Sequence, residues 1–345
     1  MKSRKEKLAC QLDRFGFFEV MARFPRPGLI IFGYHRIRPD QAGQTNEFDD
    51  DVFGPTQSQF RMHVDWLRKH ARIISEDELL NILATRRPPK KRCVMLTFDD
   101  GYRDNFKLAY PVLKEYQVPA MFFIPTLSIS NRTLGWWDII AYCIKNSRKD
   151  AIHYDGQTLL LKSDKQAAKI FFLEKMKATA CGHTADLLAR LADTCEVDFP
   201  SRAIQDAQLM TWDHIREMAL GGMGIGSHGH THRVMATLPR DVQEEEMRLS
   251  REILATKLDI PIRSIAYPVG DYTHFTHESK DIARTCGYQL GFSFNTGYTS
   301  WEGSDHFNMR RLGGPEDLGM IKGIVTLPKV FTRDSKKNKR GEHGT

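Results

Sequence analysis

Two adjacent carboxylates, Asp99 and Asp100, close the apolar run Cys93-Val94-Met95-Leu96-Thr97-Phe98, which reads as a buried strand. Unpaired carboxylates are costly to desolvate, so two acids in that place call for a cation or a chemical task. Gly101 lets the chain turn sharply and leaves backbone amides beside the acids. The same Asp-Asp-Gly string is also an ordinary surface turn, and the rest of the chain has to decide. Far downstream stands Gly224-Ile225-Gly226-Ser227-His228-Gly229-His230-Thr231-His232, which holds three of the chain's 13 histidines within five residues. His228 and His232 are four apart, so one helical turn would put both imidazoles on one face, able to chelate one metal. A solvated His-rich loop is the competing reading. A carboxylate with two imidazoles leaves positions open on a divalent ion, the pattern of catalytic rather than structural sites.

Together these segments resemble the first two motifs of the polysaccharide deacetylases, the NodB-homology or carbohydrate esterase family 4 group. The first motif, T-F-D-D-G, stands unchanged at Thr97 to Gly101. The second, H-[ST]-x-x-H, reads His228-Gly229-His230-Thr231-His232, with Gly229 where the family has a hydroxyl residue. Ile265-Ala266-Tyr267-Pro268-Val269-Gly270 is similar to the family's aromatic-Pro-x-Gly groove wall. Tyr34-His35-Arg36-Ile37 and Met210-Thr211-Trp212-Asp213 are further matches, and the likeness spans roughly 28–315.

The resemblance implies a distorted (β/α) barrel with metal ligands Asp100, His228 and His232 and with Asp99 as general base. It implies amide hydrolysis on an acetylated amino sugar of a polysaccharide, oligosaccharide or lipid-linked glycan. Water acidified by a divalent ion, zinc by default, would be the nucleophile. Asp99 would accept its proton, and a backbone N–H near Tyr102 would hold the oxyanion. Tyr267, Pro268 and Gly270 are expected along the groove. Arg311, in Met309-Arg310-Arg311-Leu312, is expected to keep Asp99 ionised, with Arg263 as the competing choice. Deformylation or cyclic-amide hydrolysis on the same fold, and a non-catalytic carbohydrate-binding protein, are the alternatives.

The leaving amine needs a proton, which most of the family draws from a late Leu-x-His. This chain departs there, since its last apolar strand candidate, Met320 to Val325, carries no histidine. His35 is the expected general acid, because Leu29–Tyr34 reads as a strand that delivers it to the C-terminal rim of a barrel. His306 is the runner-up.

Around these residues the chain alternates short apolar strands with helices, the pattern of parallel β/α architecture. A helix is expected over 57–71, a strand over 72–74, and a helix from Ser75 to about Thr85 opened by a Ser75/Glu78 capping box. A helix over 107–116 and a strand over 120–124 follow. Residues 134–208 break the rhythm and read as a mostly helical insertion, with helices at 165–180 and 184–194. Trp136 and Trp137 there either stack on a sugar ring or anchor the insertion. The expected organisation is an N-terminal amphipathic basic helix over 1–27, the catalytic domain over 28–330 and a basic tail over 331–345.

The chain's 345 residues, 41% of them hydrophobic, suffice for one large core or two modest ones. Its apolar runs are too short to span a membrane, and the charged start lacks a signal peptide's apolar centre. Six cysteines without a C-x-x-C favour reduced thiols and a cytoplasmic location. The net charge of +7 gathers at the two ends, and no aromatic-interleaved basic patch calls for nucleic acid. Leu8, Leu12, Phe15, Val20 and Phe24 outline an N-terminal helix expected to pack on the barrel or to touch an anionic membrane surface. Oligomeric state leaves no mark in the sequence.

Overall fold

A computed structural model gives the fold, describing residues 3–24, 27–41, 46–179, 183–299, 301 and 303–332. The basic tail expected from 331 onward lies almost wholly outside the described residues. One parallel sheet runs in the order Met309–Arg310, Leu290–Ser293, Ser264–Ala266, Gly224–Ser227, Met121–Ile124, Cys93–Phe98, Leu29–Tyr34, Leu312–Gly313, with Arg72–Ile73 beside the start of Cys93–Phe98. The two strands at the ends of this order are separated in sequence by Arg311 alone. Met309 and Arg310 pair with Phe292 and Ser293, while Leu312 and Gly313 pair with Phe32 and Gly33. One short segment thus joins both open edges, and the sheet becomes a nearly closed (β/α) barrel.

The strands are buried on both faces, as parallel strands under helices must be. Leu29, Ile31, Cys93, Met95, Met121, Phe123 and Phe292 form one apolar cluster; Ile30, Phe32, Val94, Leu96, Phe98 and Phe122 belong to the other. The period-two alternation therefore separates a lumen from a helix-facing layer. Counting along Cys93, Met95 and Thr97 brings Asp99 to the lumen side at the strand's C-terminal end. Two glycines make room within: a Cβ at Gly33 would lie 2.5 Å from Phe294, and one at Gly226 would lie 2.7 Å from Met121 and Phe123.

The helix over 57–71 forms at Gln57–His70, and the Ser75/Glu78 box caps Glu76–Thr85 with both reciprocal hydrogen bonds. The helix expected at 107–116 begins as a wide π turn, Asn105–Ala109, before Tyr110–Tyr116. Two expectations fail. Met320 to Val325 is not a strand but lies within the helix Leu318–Thr326, where Asp317 caps Met320 N–H and the buried Ile321, Ile324 and Val325 follow helical spacing. The N-terminal stretch is not one helix: Arg4–Arg14 and Phe17–Met21 part at Gly16, whose φ of +68° resets the helical phase. Ala9 and Phe18 face inward instead of the expected Leu8, Phe15, Val20 and Phe24, all of which are exposed; Leu12 alone is partly buried.

The insertion holds the helices Trp136–Asn146, Lys165–Lys177, Thr184–Cys195 and Arg202–Gln208. It also holds a hairpin, Ala151–Tyr154 with Gln157–Leu160. Its Asp155-Gly156 turn, with both φ values positive, is a strong hairpin signal that the helical reading passed over.

Candidate active site

At the C-terminal rim the chain turns through two successive left-handed residues, Asp100 (φ +72°) and Gly101 (φ +70°). This conformation is costly for an L residue other than glycine and is kept where the surroundings demand it. Asp99 N–H donates to Tyr34 O at 2.9 Å, which ties the acid pair to the strand bearing His35. From the next strand but one, His228 N–H donates to Ile124 O at 3.0 Å, and its Nδ1 lies 2.8 Å from Ala266 O. That contact makes Nδ1 the protonated nitrogen and leaves Nε2 with its lone pair toward the acids. Asp100 Oδ1 stands 3.5 Å from His228 Nε2 and 3.2 Å from His232 Nε2.

The ligand atoms of Asp100, His228 and His232 lie within 4.8 Å of one another, and all three residues are buried. Asp100 Oδ1 has no hydrogen-bond partner among the described residues. An orphaned buried carboxylate oxygen facing two imidazole nitrogens is a donor set that fits a divalent cation.

Asp99 takes a different partner. Arg311, fully buried between the two closing strands, donates Nη1 to Oδ1 at 2.7 Å and Nη2 to Oδ2 at 2.8 Å. Nη1 also reaches Thr97 Oγ1, and Nε reaches Ser293 O. Burial alone would raise Asp99; Arg311 and then His228 outweigh it and lower its pKa. Arg263 lies elsewhere, paired with Glu76 and Asp77. The two acids are thus separated by role of partner: Asp99 faces a guanidinium, Asp100 faces imidazoles.

The missing hydroxyl at Gly229 is made good by other groups. Gly229 N–H donates to Ser227 Oγ, and Glu246 accepts from His230 N–H, Thr231 N–H and Thr231 Oγ1. Thr126 Oγ1 meets His230 Nδ1 at 2.8 Å. Glu246, on the helix Arg240–Leu258, therefore fixes the backbone between His228 and His232. Sequence reasoning missed it because nothing in its neighbourhood marks one glutamate of three in a row.

The acids and imidazoles open into a cleft of about 240 Å³ whose walls include His35, Asp49, Asp51, Trp136, Val269 and Phe294. His35 stacks on Phe294, centroids 5.4 Å apart. His306 is not brought to the rim: it is exposed, and its carbonyl accepts from Gly291 near the N-terminal end of a strand. Tyr267 does not form the groove wall expected of it. It is fully buried, stacked on Phe275 with its hydroxyl on Phe307 O, and Pro268 is buried too. Val269 lines the cleft in their place. Gly270 (φ +72°) allows the close approach, since a Cβ there would lie 2.8 Å from Tyr267 O. Tyr102 is buried as well, donating to Asp138 Oδ2 at 2.7 Å and accepting from Trp137 Nε1. Burial pushes the Asp138 carboxyl up to about 6.

The tryptophan pair anchors the insertion: Trp137 packs 4.4 Å from the His232 ring, and Trp136 Nε1 points to His232 O at 3.5 Å. Asp49 continues this contact, its N–H on Asp138 Oδ1 and its carboxylate on Lys169 Nζ at 2.6 Å. Leu173 and Lys177 of the same inserted helix also line the cleft. No local motif announces these residues.

A family model for polysaccharide deacetylases matches residues 86–146 and 155–291, more than half of the chain. YxkH of Bacillus subtilis, whose name places it among the polysaccharide deacetylases, is 23% identical over 71% of this chain and 60% of its own. The poly-beta-1,6-N-acetyl-D-glucosamine N-deacetylase of Staphylococcus aureus is 29% identical over 34% of this chain and 43% of its own. The chain thus spans about half the length of these curated relatives. Among solved structures, the Streptococcus pyogenes deacetylase PplD in complex with acetate has the same fold, with a TM-score of 0.57 and 19% identity over 90% of this chain and 100% of that one.

Proposed function

The chain belongs to the polysaccharide deacetylase family, and on that premise we propose that it is a hydrolase removing N-acetyl groups from amino sugars of a glycan. The observation that carries the reading is the pair of differently partnered acids: Asp100 facing His228 and His232, Asp99 clamped by Arg311. Asp100, His228 and His232 would hold the divalent ion, zinc by default. When bound, such an ion supplies Lewis acidity, acidifying water and polarising the amide carbonyl. Asp99 accepts the proton of the attacking water, and Arg311 keeps it ionised to do so. The N–H following the acid pair, at Tyr102, donates to the developing oxyanion. His35, on the same rim, hands a proton to the departing amine. Val269, Phe294 and Trp136 shape the wall against which a sugar ring would lie.

The substrate form, an exopolysaccharide, an oligosaccharide or a lipid-linked glycan, is part of the proposal, as is a cytoplasmic location. Incubating metal-loaded protein with N-acetylated and N-formylated amino-sugar oligomers, and following the released acid by mass spectrometry, tests it. Acetate released by the wild type and lost in Asp100→Ala is the expected result. Formate release alone would move the assignment to deformylation. No release from either class, with tight oligomer binding, would make the chain a carbohydrate-binding protein.

A further inference from the structure

Hydrophobic residues exposed on this molecule are not evenly spread. Among the described residues four phenylalanines are exposed, and three of them, Phe15, Phe17 and Phe24, fall within ten residues at the N-terminus. Phe15 is 83% exposed, Phe24 58%, and Val20 between them 54%. Phe17 and Val20 are three apart on the helix Phe17–Met21 and share a face, and the exposed Phe24 lies three residues beyond the helix end. The opposite face is committed: Phe18 meets Phe331, and Ala9 packs against the helix Leu318–Thr326 at Gly319.

The charges of these helices are sorted in the same sense. Glu6 is used in the Ser3 capping box, Asp13 binds Lys322, and Glu19 binds Lys322, Trp66 and His70. Arg4, Lys7, Arg14 and Arg23 are exposed and make no ion pair among the described residues. The loop entering the strand Cys93–Phe98 adds the exposed Arg86, Arg87, Lys90 and Lys91. Between helix and loop lies a cleft of about 300 Å³ lined by Met21, Phe24 and Val325 together with Arg23, Lys90 and Lys91. Arg92, His70 and Thr326 line it too, so apolar and cationic groups are mixed along its walls.

We infer that this face docks on an anionic phospholipid bilayer, the aromatic residues entering the headgroup boundary and the cations meeting lipid phosphates. Soluble monomers seldom keep clustered aromatic side chains in water without a partner. Apolar residues flanked by exposed cations, with Asp13 and Glu19 paired inward, match the two signals that interfacial helices use.

Its place in the barrel sets the orientation. Phe24 precedes the strand Leu29–Tyr34, and Lys90 and Lys91 precede Cys93–Phe98, so this part of the face, with Arg23, lies at the strands' N-terminal ends. The cleft with Asp99, Asp100 and His35 lies at their C-terminal ends. Six strand residues at roughly 3.3 Å each put about 20 Å of barrel between the two. A docked molecule presents its cleft away from the bilayer. Resting on the proposed activity, this selects glycan chains that extend from the membrane over a single sugar seated at a lipid headgroup.

Co-sedimentation of the full chain with vesicles of phosphatidylcholine alone, or of phosphatidylcholine mixed equally with phosphatidylglycerol, tests the docking without reference to activity. Binding to the mixed vesicles only, weakened by salt, is expected. Phe15→Ser with Phe17→Ser and Phe24→Ser, or Arg14→Glu with Arg23→Glu, should each lower partitioning on the order of tenfold. All five positions are exposed, so circular dichroism and acetate release from soluble oligomers should not change. Phe199→Ser with Leu220→Ser, exposed elsewhere, should leave partitioning as it is. Equal partitioning on both vesicle types, or partitioning that survives both sets of substitutions, overturns the inference. So does concentration-dependent dimerisation in light scattering that the phenylalanine substitutions abolish, since a second copy would then cover the face.

Discussion

Replacing Arg311 with Met would leave Asp99 a carboxylate buried at 1% exposure with its bidentate partner gone. In the wild type the Asp99 pKa is depressed, so the pair contributes stability above the unfolded carboxylate pKa and loses it as pH falls through the lower folded value. In Arg311→Met, burial, already the largest single influence, loses its main opponent and the sign should reverse, the folded pKa rising above the usual carboxylate range. Both residues are buried, so solvent screening offers little relief. Breaking such a pair costs about 3–5 kcal/mol near neutral pH, and the deficit should shrink as the medium is acidified toward pH 4. Activity should follow the same titration. The acidic limb of kcat/KM moves to higher pH, with about a tenfold loss for each unit by which the Asp99 pKa exceeds the assay pH. Arg311→Lys, which keeps the charge but not the two-pronged geometry, should fall between. The assay is kcat/KM against pH on metal-loaded protein, with thermal denaturation of the metal-free protein over the same range. An acidic limb that stays where the wild type has it, with metal content intact, would falsify Asp99 as the base that Arg311 holds ionised.

Glu246→Ala removes the acceptor of three hydrogen bonds from the segment between His228 and His232. Metal affinity should drop about 10–100-fold, with much of it restored in Glu246→Gln, whose carbonyl oxygen still accepts; a metal-competition titration reads this. Asp99→Asn should keep metal content and lower turnover by about 10²–10⁴-fold, and loss of metal along with activity would make Asp99 a ligand. His35→Ala should lower kcat with metal retained, and do less harm to an activated aryl acetate, whose leaving group needs no proton, than to an acetamide. Equal damage to both substrates would leave His35 a positioning role only.

The acids and imidazoles were legible because each set falls within five consecutive residues at the end of a short, largely buried strand. Thr97 to Gly101 and His228 to His232 declare both residue type and direction. Arg311 could not be chosen over Arg263 by the same means. Its role depends on a two-residue strand on either side, too short for any periodicity, one pairing with the nearby Leu290–Ser293 and the other with Leu29–Tyr34 at the far end of the domain. Met320 to Val325 misled because a short apolar run has no period of its own; Asp317, as cap, was the clue to a helix. The N-terminal helix failed for a local reason, since a 3.6-residue count carried across Gly16 assigns the wrong side to the core. Glu246, Val269 and the Asp49–Lys169 pair act through contacts between distant elements and carry no sequence signature.

The five residues from Met309 to Gly313 close the barrel and deliver the guanidinium in a single act. Closure of the barrel and the pairing of Asp99 are therefore one event. Asp99 stays without its counter-charge until a segment 212 residues farther along the chain has docked. A chain arrested or clipped before that point has two unzipped sheet edges and a carboxylate lacking its mate. Such a chain would carry an unpaired buried charge beside an open barrel, at a cost in stability.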